Sequence, residues 1–526
     1  MSILRRHPNA AAIFLLVLLC YTYFFPRWAD VSQNSRLNMV VAVVDDGSFE
    51  IGKYYKNTTD YAKIDGKYYS DKAPGISFLA IPLYYGLNLA LKLPIIKSLT
   101  DRLERSEAFQ STLRATGSGV NEQKVKFALL LIISSFMLGA LPTAVLCVLV
   151  YEFSKKVTED EVASILTACS FGLLSHVFAY ANMLYGHNLC GCILFGVFSI
   201  LFNLDPAFAA PTHQPSKPIS KLALFGVGLL LGLSVITEYT TALVVIVLFV
   251  YATWVLWKRK QLPQLFWVAL GGAIFVGVLM AYNAMLWHNP FETGYKYSEL
   301  WQAEHSTGFM SITFPHITAI WGITFGIFRG LFVLAPVMLL PLAGFVIWFR
   351  QRRFRAAFWV CVASILAYFT FNSSSVMWSG GFTIGPRYLV PAMSFYAVGM
   401  GFALRIIFAR STSKAWQALW LIASLWSLIG IWGMTLANQS YPPDYLPNPY
   451  MQWALPAWQT GNIARNIGTL LGFKGISSLI PLIALVAVLV AVWVRGALHV
   501  RKTSSIDIIG NSHEGHEDAR ILRETS

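Results

Sequence analysis

The chain has 526 residues, of which 56% are hydrophobic and only 13% charged, with a mean hydropathy of +0.55. Water-soluble globular proteins carry about 25% charged residues, so this composition excludes a soluble enzyme and a disordered chain. The net charge of +14 comes from 40 Lys and Arg against 26 Asp and Glu. Basic loops facing anionic lipid account for it, and the absence of a recognition helix or RNA-stacking motif excludes nucleic acid as a partner.

The apolar residues fall in long blocks separated by short polar stretches, the pattern of an all-α polytopic membrane protein. Spans are expected near 10–26, 127–151, 162–181, 187–204, 221–237, 241–257, 265–286, 331–349, 356–373, 388–408, 415–437 and 477–494. That is about 12 transmembrane helices (range 11–13). The first follows Arg5 and Arg6 without a small-residue cleavage site, so it reads as an uncleaved helix. Residues 1–502 form the membrane domain, with 27–126 as its first extracytoplasmic loop. Residues 205–220 are a Pro-rich linker, and 503–526 read as a disordered cytoplasmic tail.

With twelve spans both termini share a side. That side carries 21 Lys and Arg in short loops, against five in the short loops opposite. The termini are therefore expected in the cytoplasm, in what reads as a bacterial inner membrane. Trp28, Trp287, Trp301, Trp378, Trp453 and Trp458 then fall at the outer interface. The polar mass lies outside: the first loop, 287–330, 373–387 and 438–476. Asn57, Asn372 and Asn438, each in an Asn-x-Ser/Thr triplet, also fall there. No nucleotide-binding fingerprint is present. The six cysteines lie in apolar blocks with no disulfide framework, and no His or Cys set has metal-ligand spacing.

The first loop is the most informative stretch. Leu37, Val40, Val41 and Val44 have helical spacing, so an amphipathic helix ended by Gly47 is expected on the membrane surface. Segment 76–93, after Lys72-Ala-Pro74-Gly75, reads as interfacial or re-entrant. Seven acids lie from Asp30 to Asp71. A carboxylate there can act as general base on an acceptor hydroxyl or bind a divalent cation. Asp60, Asp45 and Asp46 are the catalytic candidates, and Asp71 a substrate contact. A solvated loop with ordinary Asp turns is the competing reading, favoured for Asp65.

Cations stabilise a leaving phosphate at a membrane surface. Arg387, Arg329 and Lys72 each sit at an outer helix end beside Pro or Gly, and are the candidates for that role. Snorkelling interface anchors are the alternative. Trp378 and Tyr69 can stack on a sugar or a prenyl chain. His187 and Glu238 interrupt apolar runs on the outer face. They are further contact candidates, with a structural histidine and a solvated turn as the competing readings.

The run Gly47-Ser-Phe-Glu-Ile…Thr59-Asp60…Asp65-Gly66-Lys-Tyr68-Tyr69-Ser-Asp71-Lys72-Ala-Pro74-Gly75 resembles the first loop of integral-membrane glycosyltransferases of the C superfamily (GT-C). The similarity is to bacterial relatives of protein O-mannosyltransferase and of the lipid A aminoarabinose transferase, glycosyltransferase family 39-like. Trp378-Ser-Gly-Gly-Phe-Thr-Ile-Gly385-Pro386-Arg387-Tyr388 resembles the W-x-G-G-x-x-x-G-P-R-Y of a bacterial subgroup. Gly326-Ile-Phe-Arg329-Gly330 gives a weaker third match. The resemblance implies the GT-C fold and an inverting transfer of a sugar from a polyprenyl-phosphate donor. The acceptor would be a lipid, a glycan or a protein on the extracytoplasmic face. The family's Asp-Glu pair, counted back from Gly47, lands on Ser32-Gln33-Asn34 and so has no counterpart there. No cofactor is implied with certainty; the carboxylates leave a divalent cation open. The rival readings are a transporter or flippase of lipid-linked sugars and a non-catalytic envelope scaffold.

Overall fold

The computed structural model describes residues 7–28, 30–105, 124–206 and 218–496. Arg5, Arg6, most of the Pro-rich linker and the tail 503–526 lie outside the described residues.

The chain is a polytopic all-α membrane protein. Eight described helices are long and apolar enough to cross a bilayer, and four shorter apolar ones accompany them. Together they account for the twelve expected spans. In chain order they include α1 (Pro8–Thr22), then, after the first loop, α5 (Lys124–Thr158), α6 (Glu161–Leu173) and α7 (Val177–Ala181). Next come α8 (Gly186–Leu204), α9 (Lys221–Thr237), α10 (Ala242–Lys258) and α11 (Leu265–Trp287). A short α12 (Ile317–Thr324) precedes α13 (Leu340–Gln351), α14 (Arg355–Ser374), α15 (Met393–Ile407), α16 (Lys414–Leu436) and α17 (Gly475–Gly496). Two expected spans are interrupted. The span at 162–181 breaks between α6 and α7, and the one at 331–349 is built in short pieces. Pro336 and Pro341 sit at the starts of two of those pieces, where a missing N–H costs nothing.

Because the spans alternate in direction, the loop after α1, the α7–α8 turn and the α9–α10 turn share one end. The loops after α11, α14 and α16 join them. Among the described residues, that end carries nearly all the structure outside the spans.

The first loop is folded, not extended. It contains α2 (Val31–Asp46), a hairpin of β1 (Ala62–Ile64) and β2 (Lys67–Tyr69), α3 (Gly75–Ala90) and α4 (Pro94–Glu104). Gly47 ends α2 at φ 63°, as expected for a left-handed cap. The surroundings of α2 differ from the expectation of a surface helix: residues 32–42 are buried. Its polar side chains are consumed by the loop around it. Gln33 donates to the Arg27 carbonyl (3.0 Å) and accepts from the Leu184 N–H (2.7 Å). Asn34 and Asn38 bond to Asn57, and Ser35 pairs with Ser70 (2.9 Å). Its apolar side packs with α3 in a second core that includes Leu37, Val40, Ile76, Leu130 and Trp287. A helix polar on one side can be buried because each of those side chains finds at least one partner.

Segments α3 and α4 meet at 98°, as a broken or re-entrant element does. Pro94 opens α4 and forbids continuation of α3. At the other end of α3, Gly75 lies so close to α9 that a Cβ would stand 2.6 Å from the Thr237 hydroxyl. This close approach sets the start of α3 beside the turn that carries Glu238.

Candidate functional site

Four carboxylates and three cations from distant parts of the chain converge under the first loop. Asp30 comes from the start of α2. Asp60, Asp71 and Lys72 flank the hairpin. Arg36 comes from α2, Glu238 from the α9–α10 turn and Arg387 from the entry to α15. All are buried except Lys72, whose side chain is 12% exposed, and Arg387, which is half-buried.

Lys72 holds two acids. Its Nζ lies 2.9 Å from Asp60 Oδ2 and 3.2 Å from Asp71 Oδ1. The other Asp60 oxygen accepts from the Trp301 indole (3.2 Å), and Asp71 accepts from the Ser298 hydroxyl (3.0 Å). Burial opposes ionisation of Asp60. The Lys72 charge and hydrogen bond, Trp301 and Arg387 outweigh it and hold the carboxyl below its ordinary value. Asp71 goes the other way: burial, with Asp60 nearby, pushes it up. Burial would lower the Lys72 ammonium, but the two acids raise it, so it stays charged.

Asp30 was passed over in the sequence. It caps α2, its Oδ1 accepting from the Gln33 N–H (2.8 Å) and its Oδ2 from the Tyr185 hydroxyl (2.7 Å). Burial raises its carboxyl above the ordinary 3.8 despite these bonds and Arg387, and Asp60 adds to the rise. Counting back from Gly47 stopped two residues short of it. The available signal was Asp30-x-x-Gln33 directly after the first span, an N-cap pattern.

Arg387 follows Gly380, Gly381 and Gly385, all at positive φ (75°, 70° and 64°), which is why that motif carries glycines. Its guanidinium lies 5.3 Å from the Tyr185 ring centre and 5.2 Å from that of Tyr388. It donates a long hydrogen bond to the Tyr388 hydroxyl (3.5 Å), and among the described residues its buried Nε finds no partner. No described carboxylate pairs with it directly. Its charge acts on Asp30, Asp60 and Glu238 without a direct bond. Tyr185 thus links the two sides, bonding Asp30 while its ring faces Arg387 and Arg36 (5.6 Å).

Glu238 is not a solvated turn residue; it is 6% exposed. It accepts from Arg36 (3.3 Å) and from the Gly186 N–H (3.2 Å), and stands 3.7 Å from His187 Nδ1. Burial opposes its charge, but His187, Arg36 and Arg387 hold it below the usual carboxylate range. Glu238→Gln is expected to destabilise the protein by about 3–5 kcal/mol, because Arg36 is left buried and unpaired. Thermal unfolding in detergent reads this as a lowered midpoint. An unchanged midpoint would remove the pair from the account.

The other sequence candidates lie elsewhere. Asp45 and Asp46 end α2, roughly 22 Å from Asp30 at 1.5 Å per residue. Asp45 bonds Tyr84 (2.7 Å) and Lys126 (3.4 Å), and Asp46 bonds Tyr54 (3.1 Å) and Lys53. The structure does not bring them to Asp60. Tyr69 packs edge-on against Trp287, and Trp378 against Phe328 and Gly322. Arg329 is buried behind the Gly385 loop. It donates to the carbonyls of Gly381 (2.9 Å) and Pro442 (3.4 Å), and its Nε has no partner among the described residues. It lines a small, largely apolar cavity with Leu334, Ile384 and Met434. No group of three or more metal-binding side chains occurs among the described residues.

No family model and no curated protein matches the chain. Among solved structures, it is similar to the apo form of an oligosaccharyltransferase from Archaeoglobus fulgidus. The TM-score is 0.44 at 11% identity, covering 82% of this chain and 56% of that one. It is also similar to ArnT from Cupriavidus metallidurans bound to undecaprenyl phosphate. There the TM-score is 0.43 at 14% identity, covering 79% and 61%. The chain spans less than two thirds of the length of either.

Proposed function

We propose that this protein is a GT-C-type glycosyltransferase, moving a sugar from a polyprenyl-phosphate donor to an acceptor hydroxyl on the extracytoplasmic face. The observation that carries the reading is Arg387: a half-buried guanidinium, its Nε buried, to which no described carboxylate is bonded. A cation so placed suits an anion that arrives from outside. The loop motifs resembling GT-C enzymes support reading that anion as the donor phosphate. Among the described residues no charged side chain stands at mid-span, which speaks against a transporter.

In this reading Asp30 is the general base. Its raised carboxyl suits proton abstraction better than Asp60, which the Lys72 ion pair holds below the ordinary carboxylate value. The acceptor O–H gives its proton to Asp30, and its oxygen attacks the anomeric carbon opposite the phosphate. The anomeric C–O bond breaks with its electron pair going to the phosphate oxygen. The products are polyprenyl phosphate and an inverted glycoside. Arg387 stabilises the growing phosphate charge, and Lys72, steered by Asp60 and Asp71, adds a second cation.

The test is release of polyprenyl phosphate from lipid-linked sugars by purified protein in lipid nanodiscs, matched by sugar appearing on an acceptor from the same membranes. Donor consumption without transfer, or none at all, sinks the reading. Asp60→Asn is expected to slow transfer by about 10–100-fold, less than loss of a base, because it only loosens Lys72. An effect as large as that of Asp30→Asn would make Asp60 the base instead.

A further inference from the structure

The loop between α11 and α12, residues 288–316, has two halves of different character. The first gives Ser298 and Trp301 to the carboxylates. The second displays apolar side chains that none of the described residues covers. Phe309 is 75% exposed and Phe314 84%, followed on α12 by Ile317 at 77% and Trp321 at 60%. Ile317 and Trp321 are four apart and share one face of their helix.

This edge is rigidly held. Residues Phe309 and Ile312 exchange both backbone hydrogen bonds (2.9 and 3.0 Å), closing a tight turn. The turn is fastened to the end of α14. The Thr313 N–H donates to the Ser374 carbonyl (2.8 Å), the His316 N–H to that of Ser373 (2.9 Å), and the Val376 N–H to that of Ser311 (2.9 Å). Since α14 is a 20-residue apolar span, its last residues mark the edge of the hydrocarbon layer. The turn therefore hangs at that depth. From it α12 packs back against α14; at eight residues it is about 12 Å long, too short to cross.

Residues 305–328 contain no Asp, Glu, Lys or Arg. A water-facing loop of this length carries charge, and a protein-binding patch carries a polar rim. An uncharged aromatic edge at the hydrocarbon boundary matches lipid.

We propose that Phe309, Phe314, Ile317 and Trp321 form a lipid-inserting edge that seats this loop in the leaflet on the side of the charge cluster. The bilayer then holds the same loop that positions Asp60 and Asp71 through Trp301 and Ser298. The inference is independent of the transferase reading.

The test is a nitroxide attached at Phe314→Cys in the full chain, in phosphatidylethanolamine–phosphatidylglycerol liposomes. Lys67→Cys on the exposed hairpin is the control, and the unmodified protein gives the background from the native cysteines. Collisions with oxygen and with a water-soluble nickel chelate are compared. The ratio of oxygen to nickel accessibility is expected to be several-fold higher at position 314 than at 67, with Phe309→Cys reading like 314. Free access of nickel to 314 overturns the proposal. Exclusion of both reagents overturns it too, since a partner protein or second copy would then cover the edge.

Discussion

Asp30→Asn is expected to abolish sugar transfer, by about 10²–10⁴-fold, while the protein folds normally. Asparagine caps a helix as well as aspartate does, so the bond from the Gln33 N–H survives. What is lost is the basic oxygen. The stability change has a definite sign. Burial raises the Asp30 carboxyl above 3.8. A carboxyl raised in the folded state favours folding at low pH, and that advantage is lost as pH climbs from the ordinary value through the raised one. The Asn variant never carries the buried charge, so at neutral pH it should melt no lower than wild type. The wild-type rate should fall as pH drops through the raised value, because a base must be ionised to work. Single-turnover transfer between pH 4 and 8, with parallel melting curves, checks both. Transfer by Asp30→Asn at wild-type rate would take the base away from this residue.

Arg387→Ala is expected to cost about 10²–10³-fold in transfer, the range for removing one preorganised electrostatic donor, together with loss of polyprenyl-phosphate binding. Arg387→Lys tests whether charge alone suffices. It keeps the cation but gives up the planar group held between the Tyr185 and Tyr388 rings, so partial activity at most is expected. Native mass spectrometry with undecaprenyl phosphate reads binding directly. Retained binding in Arg387→Ala would mean that the guanidinium serves the acids around it and not an arriving phosphate. Arg329 would then be the next cation to examine.

The spans were legible in the sequence because each is a block of roughly 20 apolar residues, a signal that needs no partner. Gly47 as the end of α2 was legible for a similar reason, since a left-handed cap favours glycine locally. Arg387 stood out through its Gly-Pro-Arg-Tyr setting. The environment of α2 was not legible. Its spacing reads as amphipathic, and only the fold supplies Asn57, Ser70 and Glu238 to absorb its polar face. Asp45 and Asp46 looked as good as Asp60 because acidity is all that a sequence displays. Fifteen residues of helix then carry them away from Asp30.

By itself the sequence determined that this is a many-spanning helical membrane protein with its polar mass gathered in a few loops, because hydrophobic length and loop composition are properties of contiguous residues. Only the tertiary structure decided which ionisable groups share a site. Asp30, Asp60, Glu238 and Arg387 are separated by up to hundreds of residues, and their pairing depends on how the helix ends are packed together. Their charge states follow from burial and neighbours, which exist only once the chain has folded.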